Sequence, residues 1–546
     1  MAKRGQHAKK TASPWMVVFV IAVFAVLITP FAAMSFAPTT STSENTELAE
    51  LPQLVDEDGF NVSFLNDLGD YFEDHFAFRN YLISANAHLK SSALKVSNTD
   101  RVIVGDDGWL YYFGTLDDYL GRDLLEDDEL DAIAYNLLLT QNYVESHDSE
   151  FLFTVPPNKN SLYGDAMPWR YQASVEPHNA EALTDYLYEY GVNYTDLFDL
   201  FNAQPDEDLY YLRDTHWNLK GALLAYDALL DAASISHEIY DENDLVTRND
   251  YIGDINEILY PVGAVPEQAY YFKDPLEVTQ ILSDGQVNTD VDAIDVEAPW
   301  IETSTENAEG TLLMYRDSFG NALLLPLAAA FSHSYFTKYV PYNMTQVESL
   351  SPTLTIIERT ERRVADLGVT PPIIPAPEVD ISDRDIRSYD PSDSSNPFVS
   401  AQATVEPLGG FQYIEGTYRM LPSLFENQSL MDIKAVYVSL DAQDGSSSGT
   451  YQAFRTFTDP RGENEDMAAP ATTEEGQTGT SAPISGFEAT LTPEWLTETD
   501  FANLVERGFS LYVPQMYLTG HEYAMTIFVE TTSGLYEIYR ENYYLE

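Results

Sequence analysis

Two short polar motifs, far apart in the sequence, carry residue types that together can perform nucleophilic catalysis. The first, Asp214-Thr215-His216-Trp217-Asn218, places an Asp and a His two residues apart. An Asp that holds one imidazole nitrogen fixes the tautomer and leaves the other nitrogen free as a base. The second, Arg316-Asp317-Ser318-Phe319-Gly320-Asn321, supplies a Ser at a sharp polar turn. We therefore predict that Asp214, His216 and Ser318 form a catalytic triad.

The flanking patterns predict the elements that would hold these motifs. Apolar residues at 219, 223, 226, 229 and 230 lie on one helical face, and Asn218 is placed to cap that helix. Residues 311–315 have the apolar character of a short buried strand, and 322–330 that of a helix. A Ser between them would stand above a sheet, beside backbone N–H groups that can bind an oxyanion. Either motif alone occurs by chance, since a lone His is more often a satisfied core or surface residue.

Three further blocks accompany the two motifs in a fixed order. The blocks are Asp74-His75-Phe76-Ala77-Phe78-Arg79-Asn80, Val104-Gly105-Asp106-Asp107-Gly108-Trp109-Leu110 and Val155-Pro156-Pro157-Asn158-Lys159. With the two motifs they resemble the alginate O-acetyltransferase group (AlgX and AlgJ) and the related DHHW-type proteins, over roughly residues 55–365. The resemblance implies an SGNH-hydrolase-like domain whose Asp-x-His precedes its Ser. Ordinary SGNH enzymes have the Ser first, so the order looks circularly permuted. Thr215 departs from the DHHW pattern, which has a second His there.

The resemblance implies a function as well as a fold. It implies transfer of an acetyl group to a cell-surface or secreted polysaccharide through an acetyl-Ser intermediate. It also implies an acetyl donor supplied by a membrane-bound O-acyltransferase. We expect no cofactor and no metal. A polysaccharide acetylesterase would use the same residues, with water as the acceptor. A non-catalytic, glycan-binding envelope scaffold would instead be expected to lack a triad residue, and none is replaced.

Four other residues are candidates for substrate or oxyanion contacts. Asn158 and Lys159 follow the predicted strand 151–155, and ligands of open α/β sheets bind beyond such strand ends. A turn made by the two preceding prolines is an equally good explanation. Arg316 and Asn321 flank Ser318 and are the other two candidates. His75 could serve as a second acid or base, but a packing or capping role is favoured.

Composition excludes several classes of function. The chain has 546 residues, too many for one ordinary domain, and 44% hydrophobic residues with 13% aromatics, enough for packed cores. It has no Cys, which excludes disulfides, thiolate–zinc sites and Cys nucleophiles. The formal charge of −60 excludes a role in tracking phosphates of nucleic acids and disfavours strongly anionic polymers. Solubility outside the cell is the simplest explanation of this charge.

The N-terminal region predicts a membrane anchor. Residues 1–14 are basic, 15–37 are uncharged and largely apolar, and 38–54 form a Ser/Thr/Glu-rich spacer. About 20 apolar residues span the ~30 Å core of a bilayer, and the basic flank stays in the cytoplasm. A signal peptide cleaved after Ala37 is the alternative, which Pro38 disfavours. We expect a single-pass protein of the cell membrane with an extracytoplasmic body.

The rest of the chain predicts two units. Strands alternating with helices over 55–368 predict a three-layer α/β domain with a mostly parallel sheet. The Pro-rich residues 369–399 predict a linker, and the β-runs of 400–546 predict an all-β sandwich that could bind carbohydrate. Its tyrosines 512, 517, 523 and 543 could stack on sugars, although core or surface packing is the commoner role of such residues.

Several local predictions complete the outline. The pattern over 64–94 predicts one long helix carrying both His75 and Arg79. Residues 236–310 are expected to be irregular insert loops around the cleft, and 353–358 a strand that closes the sheet. In the C-terminal unit, 494–507 is predicted as a helix and 459–483 as a low-complexity loop.

Overall fold

The computed structural model describes residues 13–34, 36, 48–56, 59–205, 207–388, 390, 393–425, 432–458, 503–518 and 522–544 of the chain. Residues 1–12, most of the predicted spacer and the predicted loop at 459–483 lie outside this part. The expectations about those three segments therefore stay predictions.

The N-terminal apolar stretch forms the helix Pro14–Ala33, which ends before the predicted boundary at residue 37. Its 20 residues are long and apolar enough to cross a membrane, although a signal sequence meets the same criteria. The last turn contacts the segment that follows. The rings of Phe31 and Phe72 lie 6.1 Å apart, and the Ala77 N–H donates to the Pro30 carbonyl.

Two helices, Phe64–His75 and Arg79–Leu94, replace the single helix predicted for this region. Phe78 adopts a left-handed conformation with φ of 65°, which interrupts the helical hydrogen-bond ladder. His75 and Arg79 therefore do not share a helix. The His75 Nδ1 lies 2.9 Å from the Tyr71 carbonyl and its ring stacks on that of Tyr71 at 4.3 Å, so His75 has a packing role.

An eight-stranded sheet forms the centre of the α/β unit. From edge to edge its strands are Val287–Asn288, Thr279–Ile281, Trp300–Ser304, His333–Thr337, Thr311–Tyr315, Leu354–Glu358, Glu150–Thr154 and Tyr194–Thr195. The last five are parallel, as predicted, and the first three add an antiparallel edge. Leu354–Glu358 does not close the sheet, because it pairs on both sides, with Thr311–Tyr315 and Glu150–Thr154.

Helices cover both faces of this sheet, which gives the predicted three layers. Phe151, Phe153 and Leu313 pack beneath the helices Asp127–Glu145 and Asn179–Tyr190. The alternate residues Leu312 and Met314 pack on the other face, beneath Leu219–Ala232 and Leu324–Ala330. This alternation follows from the period of two in a strand. The shorter helices are Leu116–Tyr119, Lys159–Leu162, Leu197–Asn202, Asp254–Leu259, Gln346–Leu350 and Asp366–Val369.

Val102–Val104 and Leu110–Tyr112 form a hairpin, and the region 236–310 is not the irregular segment that was expected. It contains a second hairpin, Leu245–Tyr251 and Glu267–Phe272, with the helix Asp254–Leu259 between its strands. The strand Leu245–Tyr251 is exposed along most of its length. With no buried face to select apolar residues, it lacks the alternation that would have revealed it.

The C-terminal unit is an eight-stranded sheet that folds over a core of its own. In order its strands are Ile386–Arg387, Gly534–Tyr544, Glu522–Thr531, Ile433–Ala442, Ser448–Thr456, Val505–Pro514, Phe411–Met420 and Phe398–Leu408. The Phe398 and Tyr536 rings, 5.1 Å apart, bring the outer strands together in the predicted sandwich. Val505–Pro514 corrects the predicted helix at 494–507, because residues 505–507 are strand and 494–502 lie outside the described part. The strand pairs along its whole length with Phe411–Met420.

The two units pack directly on each other. Arg455 donates its backbone N–H to the Asn136 side chain at 2.9 Å, and its guanidinium contacts Asp131 at 2.5 Å. The first part of the predicted linker joins this interface. Ile374 is buried, and the Ala376 N–H donates to the Tyr512 carbonyl at 2.8 Å. The C-terminal unit therefore covers a face of the α/β unit.

Candidate active site

Ser318, His216 and Asp214 form one continuous chain of hydrogen-bond distances. Ser318 begins the turn after the strand Thr311–Tyr315, and its Oγ lies 2.8 Å from His216 Nε2. His216 Nδ1 lies 2.8 Å from Asp214 Oδ1. The imidazole thus stands between a hydroxyl and a carboxylate, in the geometry needed to take a proton from the hydroxyl.

The Asp214 carboxylate is buried and fully hydrogen-bonded. Its Oδ1 accepts from the backbone N–H of His216 as well as from the ring, and its Oδ2 accepts from Tyr251 Oη and the Asp254 N–H, each at 2.8 Å. Burial alone would raise the pKa of Asp214, but the hydrogen bonds and charge of His216 outweigh it and hold the pKa well below its usual range. Asp214 is therefore a fixed anion.

The same contact sets the protonation of His216. Burial lowers the pKa of His216, while the hydrogen bond and charge of Asp214 raise it more, so that its pKa lies above the usual 6.5. Asp254 Oδ2 acts in the same direction from 3.8 Å. The Phe319 ring packs 4.9 Å from the imidazole and limits its rotation. His216 is thus a stronger base than a free imidazole.

The two motifs are joined by a direct contact in the core. Trp217 is buried and donates its indole N–H to the Phe319 carbonyl at 3.0 Å. The Asn218 side chain caps the helix Leu219–Ala232 by accepting from the N–H groups of Lys220 and Gly221, as predicted. A Cβ at Gly221 would lie 2.5 Å from the Leu209 carbonyl, so only glycine fits there.

Asn158 and Lys159 are buried and donate their side-chain N–H groups to acceptors of the protein. The buried Lys159 Nζ donates to the carbonyls of Tyr211, Leu212 and Asp214, at 3.2, 3.3 and 2.6 Å. Burial lowers the pKa of Lys159 to about 8. Asn158 donates its side-chain N–H to Asp118 at 2.9 Å. Lys159 therefore holds the loop that carries Asp214.

Arg316 and Asn321 likewise lie beneath the turn. Arg316 is buried and donates to the Asn321 side chain at 2.5 Å and to the Val296 carbonyl at 2.8 Å. Asn321 donates in turn to Glu297 at 2.5 Å. Both side chains are thus engaged with protein partners that support the turn.

Asp317 and Glu358 shape the turn that presents Ser318. Asp317 Oδ1 accepts the Phe319 N–H at 2.9 Å, and its own N–H donates to Glu358 Oε2 at 3.0 Å. Burial, followed by the charge of Asp317, raises the pKa of Glu358 well above its usual range. The N–H groups of Ser318 and Gly320 have no acceptor within the part of the chain that the structure describes.

Tyr251 and Asp254 are site residues that the sequence did not reveal. They come from the hairpin and helix that replace the predicted irregular region. Gly253, which lies between them, is the one residue whose type reflects this close approach. A Cβ at this position would lie 2.3 Å from the Arg213 carbonyl, so only glycine fits. Their contacts with Asp214 depend on a tertiary approach that no local pattern encodes.

Two groups of His and acidic side chains lie close enough to hold a metal ion. One consists of Asp214, His216 and Asp254, and the other of Asp118, His178 and Glu361. In the second group, Glu361 already accepts from the Asn158 N–H at 2.5 Å and the Ser161 hydroxyl at 2.8 Å. Hydrogen bonds thus account for much of this group, and the absence of a metal requirement stays a prediction.

Comparison with known proteins gives one family match. Residues 102–269 match the model of the SGNH hydrolase-like domain of acetyltransferase AlgX, a range that includes Asp214 and His216 and ends before Ser318. The match confirms the resemblance drawn from the motifs. A search of curated proteins finds no match.

Several solved structures are similar in part. Bacillus cereus PatB1 with a sulfonyl adduct is 18% identical, with a TM-score of 0.38 over 50% of this chain and 97% of that one. A DHHW family protein from Eubacterium siraeum has the same identity and TM-score over 49% and 93%. Pseudomonas aeruginosa AlgX is 10% identical, with a TM-score of 0.32 over 79% and 98%.

Proposed function

We propose that this chain, whose residues 102–269 carry the SGNH hydrolase-like domain of the AlgX acetyltransferase family, acetylates hydroxyl groups of a polysaccharide outside the cytoplasm. The family supports O-acetyl transfer to a polysaccharide in general terms. The assignment of Ser318, His216 and Asp214 as its catalytic residues rests on one observation. That observation is the unbroken hydrogen-bond chain from the Asp214 carboxylate through the imidazole to the Ser318 hydroxyl.

The first half of the proposed reaction forms an acetyl-enzyme. His216 Nε2 takes the Ser318 proton while Ser318 Oγ attacks the carbonyl carbon of the acetyl donor. The tetrahedral intermediate collapses as the bond to the leaving group breaks, and the imidazolium gives its proton to that group. Asp214 stabilises the imidazolium throughout, which agrees with the raised pKa of His216.

The second half transfers the acetyl group to a sugar. His216 takes the proton of a sugar hydroxyl, whose oxygen attacks the acetyl-Ser carbonyl, and Ser318 then leaves with that proton. In both halves a negative charge develops on the carbonyl oxygen. The N–H groups of Ser318 and Gly320 are the donors we assign to it, because the Phe319 N–H is already bound to Asp317.

The acetyl donor is proposed to reach Ser318 from the membrane. The resemblance to AlgX and AlgJ implies a membrane-bound O-acyltransferase as the partner, and the helix Pro14–Ala33 would keep the chain beside it. The C-terminal unit is proposed to position glycan. Of its four candidate tyrosines, Tyr517 is 51% exposed, whereas Tyr512 and Tyr523 are buried and Tyr543 is largely enclosed.

The proposed topology predicts the result of surface proteolysis. Because the basic flank stays in the cytoplasm, a protease added to intact cells should digest residues 55–546. A cytoplasmic protein measured in the same cells should survive and so report on their integrity. Protection of the whole body, with digestion only after lysis, would reverse the orientation.

The function itself predicts transfer of acetyl groups to sugars. The purified chain, incubated with an aryl acetate and an oligosaccharide, should give acetylated sugar by mass spectrometry. If acetate is released but no acetylated sugar forms with any tested acceptor, the chain is the esterase of the alternative hypothesis, in which water attacks the acetyl-Ser. Neither product, together with retained glycan binding, would identify the non-catalytic scaffold.

A further inference from the structure

An open cleft of about 380 Å³ lies between Trp109 and the end of the helix Leu197–Asn202. Trp109 and Tyr163, stacked 4.8 Å apart, contribute its aromatic wall. Asn202 and Gln204 contribute exposed amides at its rim. The volume lies within the range of small-ligand sites, which combine apolar walls with a few polar groups. Aromatic faces beside side-chain amides suit a sugar, whose C–H faces are apolar and whose hydroxyls need hydrogen-bond partners.

The charges around this cleft are mainly negative. Asp165 and Glu207 lie among its lining residues, and none of the described lining residues is Lys or Arg. Lys220 contacts Glu207 at 3.1 Å, but it also contacts Glu242 at 3.0 Å, so carboxylates outnumber it. The whole chain carries a formal charge of −60. A uronic acid would therefore be repelled here, whereas a neutral or amino sugar would not.

Two contacts tie the cleft to the triad. The Leu110 N–H, next to Trp109, donates to the Leu212 carbonyl at 3.0 Å. Lys159 Nζ lies 5.5 Å from the centre of the Trp109 ring and 2.6 Å from the Asp214 carbonyl. Through Leu110 and Lys159, the wall of the cleft that contains Trp109 thus contacts the loop that carries Asp214.

We propose that this cleft binds a neutral or amino sugar of the acceptor glycan and so selects against polyuronates. The proposal rests on the proposed function, because it names the acceptor class of the same enzyme. It differs from what a resemblance to alginate enzymes would suggest, since alginate is a polyuronate.

Equilibrium binding to the full-length Ser318→Ala chain tests this selection without turnover. Calorimetry would compare three oligosaccharides of equal length: a neutral β-glucan, a chitosan and an oligouronate. The dissociation constant of the β-glucan or of the chitosan should be at least about tenfold lower than that of the oligouronate. Adding Asn202→Trp should fill the rim of the cleft and weaken that binding about tenfold or more.

Two controls separate a specific effect from a general one. Glu189→Trp places the same side chain at an exposed position of the helix Asn179–Tyr190 and should leave binding unchanged. The melting temperatures of both Trp variants should match their parent. Tightest binding of the oligouronate, or full binding by a folded Asn202→Trp chain, would overturn the proposal. If the wild-type chain binds the sugar but transfers no acetyl group to it, that result would instead count against the proposed function.

Discussion

Replacing Ser318 by alanine should abolish acetyl release from an aryl acetate and remove labelling by a serine-directed fluorophosphonate. The variant lacks the hydroxyl that lies 2.8 Å from His216 Nε2 and that we propose as the nucleophile, so no acetyl-enzyme should form. We expect the rate to fall by about 10³-fold or more, leaving what the oxyanion donors and substrate positioning supply. Mass spectrometry of the intact protein measures the label, and release of the aryl alcohol measures the rate.

A second serine of the α/β unit provides the control for Ser318. Ser349 lies on the helix Gln346–Leu350, where its hydroxyl donates to the Gln346 carbonyl, and within the described residues it has no hydrogen bond to a histidine. Ser349→Ala should keep both activity and labelling. A Ser318→Ala chain that is still labelled, with its melting temperature unchanged, would exclude Ser318 as the nucleophile.

The sequence predicted the parts of this site that lie within single motifs. Asp214 and His216 are two residues apart, and Ser318 follows an apolar strand, so local geometry alone orients each of them. The packed helices and parallel strands were predicted for a similar reason, because burial on one or both faces imposes a period on the sequence.

The contacts made between distant segments were not predictable in this way. Tyr251 reaches Asp214 from a strand that is exposed along most of its length and so has no apolar alternation, and Asp254 reaches it from the helix that follows. Lys159 was recognised as a candidate, but its partners were not predictable. They are backbone carbonyls, which every residue type has. Leu354–Glu358 lies at the centre of the sheet, which depends on strand order and not on the strand's own residues.

Lys159 and Arg316 also show why a charge near a nucleophile need not contact substrate. Both are buried, and both donate to carbonyl groups or to an amide of the protein. An unpaired buried cation would be strongly destabilising, so these donors are needed where they are. The groups that we assign to the oxyanion are backbone N–H groups, whose positions follow from the turn held by Asp317 and Glu358.

Replacing Asp214 by asparagine should lower the rate by about 10²- to 10⁴-fold, with the larger value taken from the serine-protease template. The amide can hold the wrong tautomer of His216 and cannot stabilise the imidazolium. With its single oxygen at the Oδ2 position, Asn would still accept the Asp254 N–H and would lose only the bond from the His216 N–H, so circular dichroism and the melting temperature should stay near wild type. If Asp214→Asn keeps more than about a third of the rate, the loss is under ~0.65 kcal/mol and Asp214 does not act in a triad.

The pH dependence separates this role from a purely structural one. His216 must be neutral to act as a base, so kcat/KM should rise with pH through its pKa, which lies above 6.5 in the wild type. In Asp214→Asn the negative charge is gone while the burial that lowers the pKa of His216 remains. The rise of kcat/KM with pH, called here the ascending limb, should therefore move to lower pH. Tyr251→Phe removes one donor to the carboxylate and should lower the rate more mildly, roughly tenfold at most. A lost rate with an unmoved limb would show that Asp214 only supports the loop.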